Sequence, residues 1–170
     1  GPNGSGKSTL LKALSGVSPF DSGAVSTNSK DLFALDPRSR SQIVTYVGSD
    51  FDSDFPITAL EGVRLGDYPR TFSLKLTDED SRLESIMKEF GCWDYREQKI
   101  HSLSSGERQR VALARAFYQL PKVILLDESV TQLDLHHQTR LGTILKKYSK
   151  TGMSFILVSH DLNFTTQCSD

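Results

Sequence analysis

Two continuously apolar stretches, Val123 to Leu126 and Phe155 to Val158, constrain this fold more than any other feature. A run without polar alternation suits a strand covered on both faces, as when helices flank a parallel sheet. Amphipathic segments precede and separate the two runs. Ser8 to Ser15 places Leu10, Leu11 and Leu14 on one face, with Gly16 as its stop. A second helix is predicted from Thr77, with Asp78, Glu79 and Asp80 in its first turn and Leu83, Ile86, Met87 and Phe90 sharing a face before Gly91. A third runs from about Ser105 to Phe117, and Leu141, Ile144, Leu145 and Tyr148 mark a fourth. Helices alternating with apolar strands predict an α/β fold with a mainly parallel sheet. Short strands are expected at Ala24 to Thr27, closing on an Asn28-Ser29 turn, and at Ile43 to Val47. Phe51 to Pro69, interrupted by Pro56, Gly62, Gly66 and Pro69, reads as a loop.

Chemistry enters at the first residues. Gly1-Pro2-Asn3-Gly4-Ser5-Gly6-Lys7-Ser8 fits the pattern G-x-x-x-x-G-K-[ST], with Thr9 continuing into the helix. Glycines let successive backbone N–H groups turn inward around phosphate oxygens. The helix that follows points its positive end at the same anion. Lys7 can reach the outer phosphates, and the Ser8 hydroxyl can ligate Mg²⁺. The run Val123-Ile124-Leu125-Leu126 ends in Asp127 and Glu128, at the sheet edge where ligands bind in such folds. Asp127 is suited to hold Mg²⁺ through water, and Glu128 to polarise an attacking water.

Leu103-Ser104-Ser105-Gly106-Glu107 reads as a capping box, with Ser104 at the N-cap and Glu107 three residues on. A capped helix start containing Gly106 is also suited to an anion. This segment resembles the signature of the ATP-binding cassette (ABC) family, commonly Leu-Ser-Gly-Gly-Gln, with Ser105 and Glu107 as departures. It lies about 20 residues before the carboxylate strand, as in that family. Ser129-Val130-Thr131-Gln132-Leu133-Asp134 resembles the D-loop, with Ser129 where proline is usual, and Val158-Ser159-His160-Asp161 resembles the switch-histidine segment.

The resemblance implies a P-loop NTPase: a mainly parallel sheet flanked by helices, an inserted helical subdomain at about 50–118, and part of a small antiparallel β subdomain. The core would comprise 1–48 and 119–170. It also implies a head-to-tail pair of cassettes sharing two ATP sites. Each ATP would lie between Lys7 of one copy and Ser104, Ser105, Gly106, Glu107 and Asp134 of the other. His160 would contact the γ-phosphate and help Glu128 hold water, whereas His101, His136 and His137 are taken as surface or packing residues. After Ile43 to Val47 the family places a glutamine that ligates Mg²⁺ and senses the permease. Here Ser49 stands at that position, too short for the same reach, and Asp50, Asp52 or Asp54 could substitute. Phe55 to Thr58 through Glu61, Gly66, Tyr68 and Pro69 resembles cassettes that import iron chelates, haem or cobalamin.

Composition narrows the partners. A formal net charge of -1 gives no bulk attraction for nucleic acid, and no nucleic acid partner is expected. No stretch approaches the ~18 apolar residues that cross a bilayer, so a membrane role must run through permease subunits, with this chain peripheral on the cytoplasmic face. Cys92 and Cys168 lack metal-ligand spacing and are expected as reduced thiols. The alternatives are a soluble ABC ATPase of DNA repair or translation, and a nucleotide-binding regulator with weak turnover. About a hundred residues between the phosphate loop and signature, without heptads, argue against the repair class. Both ends are expected to be cut within a longer domain, with a central strand ahead of Gly1 flanked by Val123 to Leu126 and its neighbours.

Overall fold

In the computed structural model, residues 4–27, 30–48, 56–71, 81–128, 132–159 and 164 are described. The Asn28-Ser29 turn, the Thr77 cap with its acids, and Cys168 lie outside these residues.

Helix α1 (Lys7–Ser15) starts after Gly6 and ends at Gly16, both in the left-handed region at φ 83° and 77°. The Gly16 N–H closes the helix on the Ala13 carbonyl. Of its three leucines only Leu11 is buried, while Leu10 is 59% exposed. The expected shared face is therefore narrower than three leucines, because at 3.6 residues per turn Leu10 stands about 100° away from Leu11. Strands β1 (Ser26–Thr27) and β2 (Lys30–Asp31) pair antiparallel, so the first expected strand is shorter than its apolar run suggested. Helix α2 (Pro37–Ser41) is capped by the Asp36 carboxylate, which accepts from the Arg38 and Ser39 N–H groups. Strand β3 (Val44–Val47) follows.

The expected loop through Pro69 is corrected. Helix α3 (Ala59–Arg64) begins in a reciprocal capping box between Thr58 and Glu61, a 3-10 turn covers Leu65–Asp67, and α4 (Tyr68–Thr71) follows. The glycines serve close packing instead of breaking helices. A Cβ on Gly66 would sit 2.4 Å from the Arg115 carbonyl oxygen, and one on Gly62 would sit 2.6 Å from Ile100 Cδ1. Pro69 lies in the first turn of α4, where its missing N–H costs nothing.

Helices α5 (Ser81–Glu89) and α6 (Ser105–Gln119) lead to β4 (Val123–Asp127), α7 (Leu135–Ser149) and β5 (Ser154–Val158). The three longer strands form a parallel sheet in the order β3-β4-β5. Val44 pairs with Val123, and Val123 with Ser154. β4 is covered on both faces, as its sequence predicts: Ile124 and Leu126 join the larger core, and Leu125 meets Leu11 and Val44 in a smaller one. Phe117 of α6 ties helices to sheet, with the rings of Phe90 and Tyr148 each 4.9 Å away and that of Phe155 at 5.7 Å.

Two expectations are corrected here. β5 is not buried on both faces, since Ile156 is 44% exposed; among the described residues β5 is an edge strand. β4 is hydrogen-bonded along both edges by β3 and β5, which leaves no edge beside Val123 to Leu126 for a further strand.

Candidate active site

The phosphate loop, α1 and the end of β4 converge. Gly4 and Gly6 hold φ of 76° and 83°, while a Cβ on either would meet nothing within 4 Å. Glycine is needed there for backbone conformation, which turns N–H groups toward an incoming anion, and not for want of space. The N-cap residue of α1 is Gly6, which brings no side chain to the first turn, an arrangement suited to an anionic ligand. Lys7 Nζ lies 3.4 Å from Ser5 Oγ, and Thr9 is exposed on the first turn. Gly1, Pro2 and Asn3 lie outside the described residues.

Ser8 Oγ donates to Asp127 Oδ1 at 3.0 Å, and the Tyr46 hydroxyl donates to Asp127 Oδ2 at 2.8 Å. Asp127 is 5% exposed, so each carboxylate oxygen receives a donor where water scarcely reaches. The sequence offered Asp127 and Ser8 as partners but not Tyr46. The available signal was a tyrosine inside a largely apolar strand, whose half-buried hydroxyl needs an acceptor. Tyr46→Phe is expected to lower stability by about 1.5–3 kcal/mol, the range for a hydrogen bond to a charged group. Urea unfolding of both proteins measures it, and an unchanged midpoint would contradict the bond.

The metal site can be judged from the same cluster. Ser8 and Asp127 present adjacent hard oxygens beside the phosphate-binding turn, a donor set that fits Mg²⁺, an ion usually held by few protein oxygens plus phosphate and water. Glu128 follows directly at φ 50°, and its N–H donates to the Val158 carbonyl at 2.9 Å. The chain thus leaves the strand in a left-handed turn that costs a non-glycine residue energy and separates the paths of two successive carboxylates.

The expected capping box at the start of α6 is formed. Ser104 Oγ accepts from the Glu107 N–H at 3.3 Å, and Glu107 Oε2 accepts from the Ser104 N–H at 2.8 Å and hydroxyl at 2.7 Å. The Ser104 hydroxyl bond holds the Glu107 carboxyl below its usual value. The box is therefore complete above the ordinary glutamate range and is lost as pH falls through the lowered value. Gly106 follows Ser105 in the first turn, and a Cβ there would lie 3.0 Å from the Gln132 carbonyl.

Asp134 caps α7, accepting at one oxygen from the His137 N–H at 2.9 Å and from His137 Nδ1 at 2.8 Å. His137, expected as a surface or packing residue, has a polar partner in Asp134. The structure brings Ser8 and Asp127 together, and Gly106 against Gln132. No hydrogen bond joins Ser104 or Asp134 to Lys7, Ser8 or Asp127 among the described residues. His160, Ser49, Asp50, Asp52, Asp54 and Ser129 to Thr131 lie outside them. Away from these groups, burial pushes the Cys92 thiol up to about 12, which leaves it unreactive. A cleft of about 290 Å³ opens between α1, β3 and the helices, lined by Val17, Tyr46, Leu65, Pro69 and Arg115 among others.

A glycine turn opening a helix whose first-turn hydroxyl is tied to a strand-end aspartate defines a nucleoside-triphosphate-binding fold of the P-loop class. The ABC transporter family model matches residues 1–131, and the chain belongs to that family. It is 33% identical to the hemin import ATP-binding protein of Rhodopseudomonas palustris, over 100% of this chain and 66% of that protein. It is 35% identical to the iron(3+)-hydroxamate import ATP-binding protein of Bacillus subtilis, over 99% of this chain and 64% of that one. The chain thus spans just under two thirds of these relatives' length. An ATP-binding cassette in a dimeric post-hydrolysis state with ADP and Pi superposes with a TM-score of 0.87 at 28% identity, covering 98% of this chain and 75% of that one.

Proposed function

We propose that this chain binds and hydrolyses ATP as the nucleotide-binding subunit of an ABC importer for metal chelates. The observation that carries the ATPase reading is the Ser8–Asp127 bond, which links the phosphate-binding turn to the carboxylate end of β4. The backbone of Gly4 to Lys7 and the Lys7 ammonium bind and orient the phosphates of ATP. Mg²⁺, held by Ser8 and through water by Asp127, would neutralise phosphate charge when bound. Glu128 polarises the attacking water and takes its proton, and His160 helps fix that water.

Ser104, Ser105, Gly106, Glu107 and Asp134 act on ATP held by a second copy. Two features favour this: Ser104 and Asp134 bond only within their own helix starts among the described residues, and a structural relative is dimeric. The names of the hemin and iron-hydroxamate relatives support import of metal chelates. No described helix is long and apolar enough to cross a membrane. The importer names of the relatives support a peripheral subunit beside permease partners, for which the cytoplasmic face is proposed. The cleft beside Tyr46, lined by both polar and apolar residues and with exposed Val17, Leu65 and Tyr68 nearby, offers such a partner a mixed seat.

The test uses the full-length protein. Sedimentation is expected to give a monomer alone and a dimer with ATP, because a ligand bound across an interface stabilises it by mass action. Mg²⁺-dependent ATPase activity and ATP-driven chelate uptake in vesicles containing the permease are expected alongside. A dimer that ignores ATP, or vesicles that take up chelate without it, would overturn the proposal.

A further inference from the structure

His137 does more at the start of α7 than pack. One oxygen of Asp134, Oδ1, accepts twice: from the His137 N–H at 2.9 Å and from the ring at Nδ1 at 2.8 Å. The backbone donor is the ordinary cap of a helix start. The ring is a second donor, and with a carboxylate as its partner Nδ1 carries the proton. The two donors hold the Asp134 carboxyl below the usual carboxylate range, the backbone N–H first and the ring next, so it stays an anion. Both fall on one oxygen. Oδ2 of Asp134 has no hydrogen bond among the described residues.

The ring is itself held. Its Nε2 side meets the Gly91 turn at the end of α5, where an added Cβ would stand 3.5 Å away. Around it α5 is tied to α7. Arg140 donates to the Lys88 carbonyl at 2.7 Å, and Glu89 accepts from Lys147 at 2.6 Å and from the Tyr148 hydroxyl at 3.2 Å. The His137 side chain is 21% exposed and that of Asp134 65%, so an anchored ring orients an acid that stands in solvent. An exposed carboxylate held only by its cap bond keeps rotamer freedom that it must lose on meeting a partner. One oriented beforehand has already lost it.

We propose that His137 is a positioning residue for ATP turnover, aiming the open oxygen of Asp134 at the nucleotide site of the second copy. The inference rests on the reading of Asp134 as acting across the dimer, but not on transport.

The experiment separates the bond from the packing. His137→Phe keeps a ring beside Gly91 and removes the donor. His137→Asn removes the ring and keeps a donor, since its amide nitrogen stands at the same place along the side chain as Nδ1. Full-length proteins are compared by kcat and KM for ATP with Mg²⁺ and by ATP-dependent dimer affinity in sedimentation, with melting to confirm folding. His137→Phe is expected to lower kcat by about ten- to hundred-fold with KM little changed, the scale of a misplaced group, and to weaken the dimer. His137→Asn recovers most of both. Added to Asp134→Asn, His137→Phe brings little further loss, as befits a residue that acts through Asp134. The dimer measurement reads the same order whether or not ATP is hydrolysed. The reverse order, with phenylalanine tolerated and asparagine impaired, would mean packing alone and overturn the proposal; so would equal losses in the two, or full additivity with Asp134→Asn. If Asp134→Asn is impaired while His137→Phe is not, the reading of Asp134 stands and the role of His137 falls. If Asp134→Asn matches wild type, that reading falls and the proposal with it.

Discussion

Glu128→Gln is expected to leave ATP affinity unchanged and to slow hydrolysis by about 10²–10⁴-fold, the range for a positioned acid–base group. The substitution keeps size and hydrogen-bonding capacity while removing the carboxylate that accepts a proton from water. The backbone anchor of this position survives the substitution: the Glu128 N–H donates to the Val158 carbonyl. The positive φ of 50° is a backbone feature that glutamine inherits. Asp127 is a poor alternative base, since its oxygens already accept from Ser8 and Tyr46. If Glu128 is the base, the variant also accumulates as an ATP-bound dimer, because the shared nucleotide is no longer discharged. Single-turnover kinetics and sedimentation in ATP read both effects. Turnover at the wild-type rate would remove Glu128 from the mechanism.

The central strand and phosphate turn were the most legible parts of this chain. Val123 to Leu126 has no polar residue, and a strand with Leu11 and Val44 on one side and a helical layer on the other tolerates none. The phosphate turn was readable because no other residue type holds φ near +80° at Gly4 and Gly6 without strain. The Ser104–Glu107 box was readable from spacing alone. The same spacing at Thr58–Glu61 starts α3, where Gly62 and Gly66 drew attention away. Those glycines answer to contacts with Ile100 and Arg115, at 38 and 49 residues' remove, which no local pattern encodes. β5 was misjudged for a related reason: an apolar run indicates a strand, but its burial depends on what neighbours it.

Tyr46 was missed because its hydrogen-bonding role is set by tertiary placement. Tyr46 reaches Asp127 across 81 residues of sequence. The Asp134–His137 pair is local and could have been found, since an N-cap acid with a donor three residues on is a readable arrangement. The division into a core of 1–48 and 119–170 and a helical subdomain of about 50–118 remains a proposal. The larger hydrophobic cluster runs without a break from Ile86 and Met87 of α5 to Ile124 and Leu126 of β4.

Ser104→Asp is expected to abolish the ATP-dependent dimer while sparing nucleotide binding by the separate copies. The choice follows from the dual use of Ser104. As N-cap of α6 it accepts from the Glu107 N–H, so alanine or arginine would weaken the helix by about 0.5–2 kcal/mol and blur the result. Aspartate still accepts from the Glu107 N–H but loses the hydroxyl's bond to the Glu107 carboxylate and repels it, so melting of each variant is measured alongside to separate helix-start effects from dimer effects. Aspartate also puts a negative charge where serine is assigned to face the terminal phosphate of the second copy's ATP. Two unit charges about 4 Å apart repel by about 1–4 kcal/mol at dielectrics between bulk water and a protein surface, equivalent to roughly five- to thousand-fold in dimer affinity. ATP carries several charges, and a symmetric dimer contains the clash twice. Ser104→Asn caps equally well without charge and serves as the control. Sedimentation in ATP is expected to give dimers for wild type and Ser104→Asn and monomers for Ser104→Asp, with fluorescent-nucleotide titration unchanged in all three. A full complement of Ser104→Asp dimers would mean that the start of α6 does not face the partner's nucleotide.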